Sequence, residues 1–358
     1  MDDLKAWKVL ALDHQGITMA LAEFVASMRE RPLPARTRGV LREALVDAIG
    51  CGLYGLTTDW ARIIHDFARE QRGLAESGLW CGGERINSAQ AAAMSKRIHP
   101  GKAAHDGINA ALLAAKGFQG PRYILEAADG SFLFTMSDSP RPWMITEGLG
   151  SRWHSDETCF KPHACCGSNH ACVDAAIELA VQERVDIADV ERIIAGIADV
   201  VRTQTGFAYR ADSVLNAQMS LQYNVAVALH DRQAYLEQFT PQRVVDPAVC
   251  ETASRVEIEV DPEIDRAYPE VYGGRLTLVL KNGRRLSKRV DYSRGMPENP
   301  MSGEEIERKF RSLAAAAVGR PSTDQILVSA RELFEASSAM PLADLLTAAR
   351  LVRGETSC

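Results

Sequence analysis

In the first third of the chain, hydrophobic residues recur every three to four positions, which is the spacing of one buried helix face. Segments 17–30 and 37–56 both follow this pattern. Segment 102–121 is rich in small residues and closes on Gly117, a residue suited to the position after a helix end. Nothing in this region alternates for long enough to predict a strand, so we expect it to be helical.

The hydrophobic period changes to two in the middle of the chain. Segments 253–263 and 274–292 alternate apolar residues with others, and Asn282–Gly283 in the second segment is typical of a type I′ turn. This combination predicts a β-hairpin. Segment 190–201 is a further candidate strand. Segment 213–232, which lies between the candidate strands, has the hydrophobic period of a helix.

The C-terminal region returns to the helical period. Ser302 and Glu305 have the spacing of a capping box, and Gly319 is a predicted helix stop, with two further helices expected up to Val352. The order of elements predicts an α plus α+β fold, in which a large all-helical domain is built from both chain ends and a smaller α+β domain is inserted. The expected bounds are 1–156 with 297–358 for the helical domain, and 157–296 for the inserted domain.

Composition and charge argue against several classes of protein, including nucleic-acid-binding and membrane proteins. The 358 residues are 46% hydrophobic and 25% charged, which is an ordinary globular composition. The formal net charge of −6 argues against general binding to nucleic acid or to an anionic membrane. No apolar run approaches the ~18 residues of a membrane span, and the N-terminal stretch lacks the pattern of a signal peptide. The 8 cysteines are then expected to be reduced thiols in a cytoplasmic protein.

Segment 160–176, "FKPHACCGSNHACVDAA", combines one lysine, two histidines and three cysteines. Its cysteines lack the paired C-x₂-C spacing of a structural zinc site, and no single thiol stands out as a nucleophile. A third interpretation centres on Lys161, which precedes a helix expected to begin at Ser168 or Asn169. An ammonium group and a helix N-terminus both favour a carboxylate. A solvated surface lysine is the alternative.

A second group of basic residues precedes the helix that we expect to begin near Ala103. It consists of Lys96, Arg97, His99 and Lys102. Cations and helix amides again converge, and an exposed basic loop is again the alternative. Two such turns, one in each expected domain, indicate a cleft that binds a polyanionic small molecule.

The chain contains four stretches that match one family in order: residues 21–55, 95–132, 161–179 together with 219–229, and 294–314. They resemble the MmgE/PrpD family, which includes dehydratases, decarboxylases and epimerases of carboxylic acids. The resemblance implies a homodimer in which a helical domain and a smaller α+β lid domain hold a di- or tricarboxylate between them. It also implies lyase or isomerase chemistry next to a carboxylate, with no metal and no organic cofactor.

The resemblance carries roles to individual residues of these motifs. It implies catalytic roles for Lys96, His99, Lys161, His170 and Tyr223. Together with the two basic turns, it predicts substrate binding by Lys96, Arg97, Lys161, His163 and Ser168. In this interpretation Tyr223 is an aromatic residue of the lid helix that reaches the cleft.

The chain departs from the family pattern after segment 84–93, where Ala93 runs directly into Met94. By comparison with the family's helical domain, roughly a hundred residues are absent, including an Asp and two His residues credited with acid–base work. Two hypotheses follow. The protein is either a reduced enzyme that acts next to a carboxylate by dehydration, decarboxylation or epimerisation, or a non-catalytic relative that binds a carboxylate or a partner.

Overall fold

The structure is a computed structural model that describes residues 16–28, 31–70, 99–335 and 339–348. It is mostly helical, with one mixed four-stranded sheet. The chain divides into two compact units, Met1–Arg42 with Ala104–Glu157, and Glu43–Ala103 with Thr158–Cys358. None of the described helices is both long and apolar enough to cross a membrane.

The helices and strands are numbered in chain order over the described residues. The first part of the chain carries α1 (Ile17–Ser27), α2 (Ala35–Gly55), α3 (Asp59–Glu70), α4 (His99–Ala115) and α5 (Phe132–Met136). The middle carries α6 (His170–Gln182), β1 (Val190–Ile197), α7 (Asp199–Thr205), α8 (Val214–Met219), α9 (Leu221–Asp231), α10 (Pro241–Val244), α11 (Pro247–Ser254), β2 (Val256–Val260), α12 (Pro262–Ala267), β3 (Gly274–Leu280) and β4 (Arg285–Val290). The last part carries α13 (Gly303–Glu332) and α14 (Met340–Ala348).

In the unit formed by Met1–Arg42 and Ala104–Glu157, Glu126 fixes the start of α1. Its carboxylate accepts hydrogen bonds from the backbone N–H and the hydroxyl of Thr18, and that hydroxyl accepts one from the Leu125 N–H at 3.1 Å. A carboxylate at this end of a helix also interacts favourably with the helix dipole. Farther along α1, the ring of Phe24 lies 6.0 Å from that of Trp153, which ties the helix to the end of the unit.

The sheet has the strand order β2–β1–β3–β4, with β1 and β2 parallel and the other pairs antiparallel. Its register places four buried residues in one row across the sheet: Val256, Ile193, Leu278 and Leu286. Because side chains along a strand alternate between faces, this row defines the buried face of the sheet. The strands predicted from the period of two are confirmed.

The loop between β3 and β4 differs from the prediction. Gly283 has a positive φ of 82° but Asn282 does not, so the predicted type I′ turn is wrong. The Gly283 N–H donates to the Leu280 carbonyl at 2.8 Å, which gives a three-residue loop ending in a left-handed glycine. The side chain of Asn282 accepts the Arg284 N–H at 3.0 Å, and this local bond closes the loop without a left-handed asparagine.

Helices α6 and α9 belong to the core of the sheet-containing part. This core contains Val173 and Ala176 of α6, Leu221 and Val225 of α9, and Leu276 of β3, all essentially without solvent exposure. Every buried member of this cluster lies between residues 165 and 290. One continuous stretch of the chain therefore builds a core of its own.

Helices from both chain ends share a second core in the same unit. Val46 and Leu53 of α2 pack with Phe310 of α13 and Leu342 of α14. This is one part of the packing expected for the helical domain, whose full bounds stay a prediction.

The predicted ends of α13 are also found. The capping box of Ser302 and Glu305 is present, which confirms the predicted start of the helix. Gly319, with φ 75° and ψ 161°, interrupts the helix where the stop was predicted. Helical residues resume beyond this break and continue to Glu332, so α13 consists of two helical segments joined at Gly319.

Candidate functional site

The lysine-containing loop 161–169 is anchored by backbone hydrogen bonds to two other parts of its unit. The Ala164 N–H donates to the Ala234 carbonyl at 2.9 Å, and the Cys166 N–H donates to the Gln218 carbonyl at the same distance. The side-chain amide of Gln218 donates back to the Ala164 carbonyl at 2.8 Å. These bonds hold the loop against the ends of α8 and α9.

Lys161 lies at the start of this loop, beside a pocket. Its side chain is exposed, and its ammonium group donates to the Cys165 carbonyl at 3.4 Å. The pocket has a volume of about 250 Å³ and is lined by Lys161, Ala164, Cys165, Cys166, Leu215, Gln218 and Met219. This volume is below the roughly 300–1,000 Å³ typical of drug-sized ligands, so it suits a small molecule. The one formal charge in its lining, an ammonium, favours an anion.

His170 is the first residue of α6 and is only 4% exposed. Its Nε2 atom has no hydrogen-bond partner among the described residues. Burial lowers the pKa of His170 well below its usual value, and electrostatic interactions with His163 and Lys161 lower it further. A hydrogen bond to the Cys165 backbone acts in the opposite direction and raises this pKa. The ring is therefore neutral near pH 7, and its buried Nε2 atom has no partner among the described residues to occupy its lone pair.

His163 lies beside His170 and is held by Asp174. Its Nε2 is 2.7 Å from an oxygen of Asp174, and the two side chains are only 10% and 12% exposed. The rings of His163 and His170 meet edge to face, with centroids 5.0 Å apart and an angle of 77° between their planes. The structure thus brings the predicted residues Lys161, His163 and His170 together in one loop and the following helix turn.

Ser168 does not cap the helix. Its hydroxyl bonds the side-chain oxygens of Gln204 and Tyr272, both at 2.6 Å. Helix α6 begins at His170, so Asn169 occupies the cap position, without a capping bond from its side chain. The helix was expected to start at Ser168 or Asn169, and of these two Asn169 is the cap residue. The role of Ser168 in substrate binding stays a prediction.

Tyr223 lies inside the core of the sheet-containing part. Its side chain is 0% exposed, and its hydroxyl donates to the Gln238 carbonyl at 2.5 Å. The ring packs against Tyr209 and Phe239, and burial raises the pKa of the Tyr223 hydroxyl. A catalytic role for Tyr223 stays a prediction, one that requires the ring to leave these contacts.

We expect Tyr223→Phe to lower the free energy of unfolding by about 1–3 kcal/mol, because it leaves the buried Gln238 carbonyl without its donor. Urea unfolding followed by circular dichroism measures the change. Tyr292→Phe is the control, since Tyr292 is 37% exposed. A variant of full stability that has lost ligand binding would contradict this structural role and support the catalytic one.

Only part of the second basic turn lies within the described residues. Lys96 and Arg97 lie outside the described residues, so their predicted roles stay predictions. His99 is the first residue of α4 and is half-buried. Among the described residues, no hydrogen bond or ion pair joins His99 to Lys161, His163 or His170.

A buried ion pair, missed by the sequence analysis, faces the same region. The ammonium of Lys309 lies 2.7 Å from a carboxylate oxygen of Asp47, with side chains 11% and 20% exposed. Burial raises the pKa of the Cys51 thiol, while the charges of Lys309 and Lys161 lower it. The same two lysines lower the pKa of His170. Lys309 thus adds a second positive charge near the His170 site.

Sequence spacing contained a signal for Lys309. It stands between Ile306 and Leu313, three positions after one and four before the other, and both are buried. A lysine on the apolar face of a helix becomes partly buried, and its charge then requires an acidic partner.

Within the part of the chain that the structure describes, no three side chains of the types that bind metals come together.

Comparison with known families fits this site. A model of the MmgE/PrpD C-terminal domain matches residues 163–333, and a model of the MmgE/PrpD N-terminal domain matches residues 19–95 and 88–143. The chain belongs to the MmgE/PrpD family, which confirms the resemblance predicted from its motifs.

The curated relatives that the chain matches include cis-aconitate decarboxylases from fungi and mammals. The chain is 29% identical to the Aspergillus terreus protein over 281 residues, which is 74% of this chain and 56% of the relative. It is 28% identical to the Mus musculus protein over 264 residues, or 72% and 53%, and 27% identical to the Homo sapiens protein over 263 residues, or 72% and 54%. The chain therefore spans about half the length of these relatives.

Proposed function

We propose that this protein is a cofactor-independent lyase or isomerase that acts next to a carboxylate of a small carboxylic acid. The observation that carries the proposal is the pairing of Lys161, at the edge of a small pocket, with the buried His170, whose Nε2 is unpartnered and neutral. Relatives named cis-aconitate decarboxylase support a tricarboxylate as the substrate.

The difficult step in such reactions is forming negative charge on the carbon beside a carboxylate. Removal of a proton or of CO₂ leaves an enediolate-like anion, which a fixed ammonium group stabilises more strongly than it stabilises the substrate. The position of Lys161 in the pocket lining supports its proposal for this role. A neutral imidazole with an open nitrogen can accept or return the proton, and His170 is the described residue with these properties.

The proposal includes the architecture implied by the family: a helical domain from both chain ends, an inserted lid domain and a homodimer. The core shared by α2, α13 and α14 supports the first part, and the separate core within 165–290 supports the second. Lys96, Arg97 and His99 are proposed to complete the carboxylate site.

A non-catalytic carboxylate-binding protein is the second candidate. The observation that favours it is the interrupted match to the family's N-terminal domain. The N-terminal family model matches in two pieces, 19–95 and 88–143, which supports the predicted omission near Ala93 of the segment that carries the family's Asp and His residues.

Proton exchange separates the two candidates. We expect the protein, incubated in D₂O with cis-aconitate or related tricarboxylic acids, to release CO₂ or to introduce deuterium beside a carboxylate, as followed by ¹H NMR. His170→Gln should slow this reaction about 10²–10⁴-fold, the usual contribution of a general base. His154→Gln is the control, since the His154 side chain is 67% exposed. Binding without exchange would favour the second candidate, and absence of binding would contradict both.

A further inference from the structure

Asp174 joins three segments around the two histidines. One carboxylate oxygen lies 2.7 Å from His163 Nε2, and the other accepts the backbone N–H of Arg294 at 2.7 Å. Asp174 itself lies on α6, one turn after His170. Both oxygens are thus occupied, and the carboxylate has one fixed orientation in a setting where its side chain is 12% exposed.

This arrangement determines which atom of His163 carries hydrogen. A carboxylate accepts only, so the nitrogen facing Asp174 must be the N–H donor, whatever the state of the other ring nitrogen. The bond also fixes the plane of the ring, which meets His170 edge to face. A second group that orients a histidine in this way is a recurrent means of setting its proton chemistry.

The orientation of His163 matters because of what surrounds His170. The groups that act on the His170 ring are His163, Lys161 from the same loop, Lys309 from α13 and the Cys165 backbone. After burial, His163 has the strongest influence on the pKa of His170, and it lowers that pKa. A His163 ring held in place thus opposes protonation of its neighbour.

We propose that Asp174 is a positioning residue, which holds His163 as an Nε2–H donor against His170 and so keeps the unpartnered His170 Nε2 available as a proton acceptor. The inference rests on the proposed function, because the role of His170 as a proton acceptor comes from that proposal. Its geometry is independent of that function, since it concerns the protein without ligand.

The test is a pH titration of the histidine rings by ¹H–¹⁵N NMR in the ligand-free protein, with the two resonances assigned from His163→Gln and His170→Gln. In the wild type we expect a slowly exchanging Nε2–H on His163, and a His170 that stays neutral to lower pH than the exposed His154. Asp174→Ala should abolish the protected Nε2–H and move the titration of His170 to higher pH, since His163 is no longer held against it.

Asp174→Asn tests the same bond with a weaker acceptor of nearly the same shape. Its one acceptor oxygen cannot serve both His163 and the Arg294 N–H, so the His163 Nε2–H should exchange faster than in the wild type. Glu178→Gln, which alters a second acid on α6 that is paired with Lys288, is the control and should change neither histidine.

Unchanged exchange at His163 and an unchanged His170 titration in Asp174→Ala would overturn the proposal. If that variant does not fold, Asp174→Asn decides, and wild-type exchange in it would overturn the proposal as well. Because no substrate is present, this outcome is distinct from a failure of the proton-exchange reaction.

Discussion

Lys161→Ala is expected to weaken the binding of cis-aconitate or a related tricarboxylate by roughly ten- to a hundred-fold. A hydrogen bond between a charged donor and a carboxylate contributes about 1.5–3 kcal/mol, and its loss changes the dissociation constant by that factor. Isothermal titration calorimetry of the purified variant measures the change. Lys161→Arg is also expected to bind less well, because a planar guanidinium does not replace a compact ammonium group in a pocket of about 250 Å³.

Two lysines outside the site provide controls for this experiment. Lys116 and Lys281 are both exposed and do not line the pocket. Lys116→Ala and Lys281→Ala should bind the tricarboxylate as the wild type does. Equal affinities for Lys161→Ala and these controls would show that Lys161 is an ordinary surface lysine, and the proposed function would lose the observation that carries it.

Gly295→Ala is expected to lower the free energy of unfolding by about 3 kcal/mol or more. Gly295 has a positive φ of 93°, and a Cβ atom added there would lie 1.8 Å from the Phe160 carbonyl oxygen. The strained backbone and the forced contact each cost about 1–3 kcal/mol. Urea unfolding measures the change, and a reduced yield of folded protein is the cruder sign of the same effect.

Gly283→Ala is the matched control for Gly295→Ala. Gly283 also has a positive φ, of 82°, but no atom lies within 4 Å of an added Cβ. Only the left-handed conformation is then unfavourable, by about 1–2 kcal/mol. Equal losses for the two variants would mean that the backbone relaxes around residue 295, and that the contact with Phe160 adds nothing.

Features that depend on neighbouring residues were predictable from the sequence. The buried positions of Val256 and Leu278 follow from alternation within their own strands, which is a local pattern. The capping box of Ser302 and Glu305 likewise needs only residues three positions apart. The type of the β3–β4 turn escaped prediction because Asn282 uses its side chain, rather than a left-handed backbone, to close the loop.

Features that depend on distant contacts were only partly predictable. The lysine loop was recognisable as a site, but Asp174 is one acidic residue on a helix until folding brings the Arg294 backbone to it. Tyr223 was expected at a cleft from the family resemblance, and in the sequence it lies off the apolar face of its helix. In the structure α9 packs against both α6 and α11, so side chains off that face are buried too.

The hydrogen bond between the Phe160 N–H and the Gly295 carbonyl, at 2.8 Å, has a consequence for how this protein evolves. Between these two residues lies the whole of the core built from residues 165 to 290. The two ends of the stretch that builds this core are therefore neighbours, held together by a backbone hydrogen bond. A segment whose ends are neighbours can be gained, exchanged or lost as one piece without redirecting the chain on either side. The stretch between Phe160 and Gly295 meets this geometric condition.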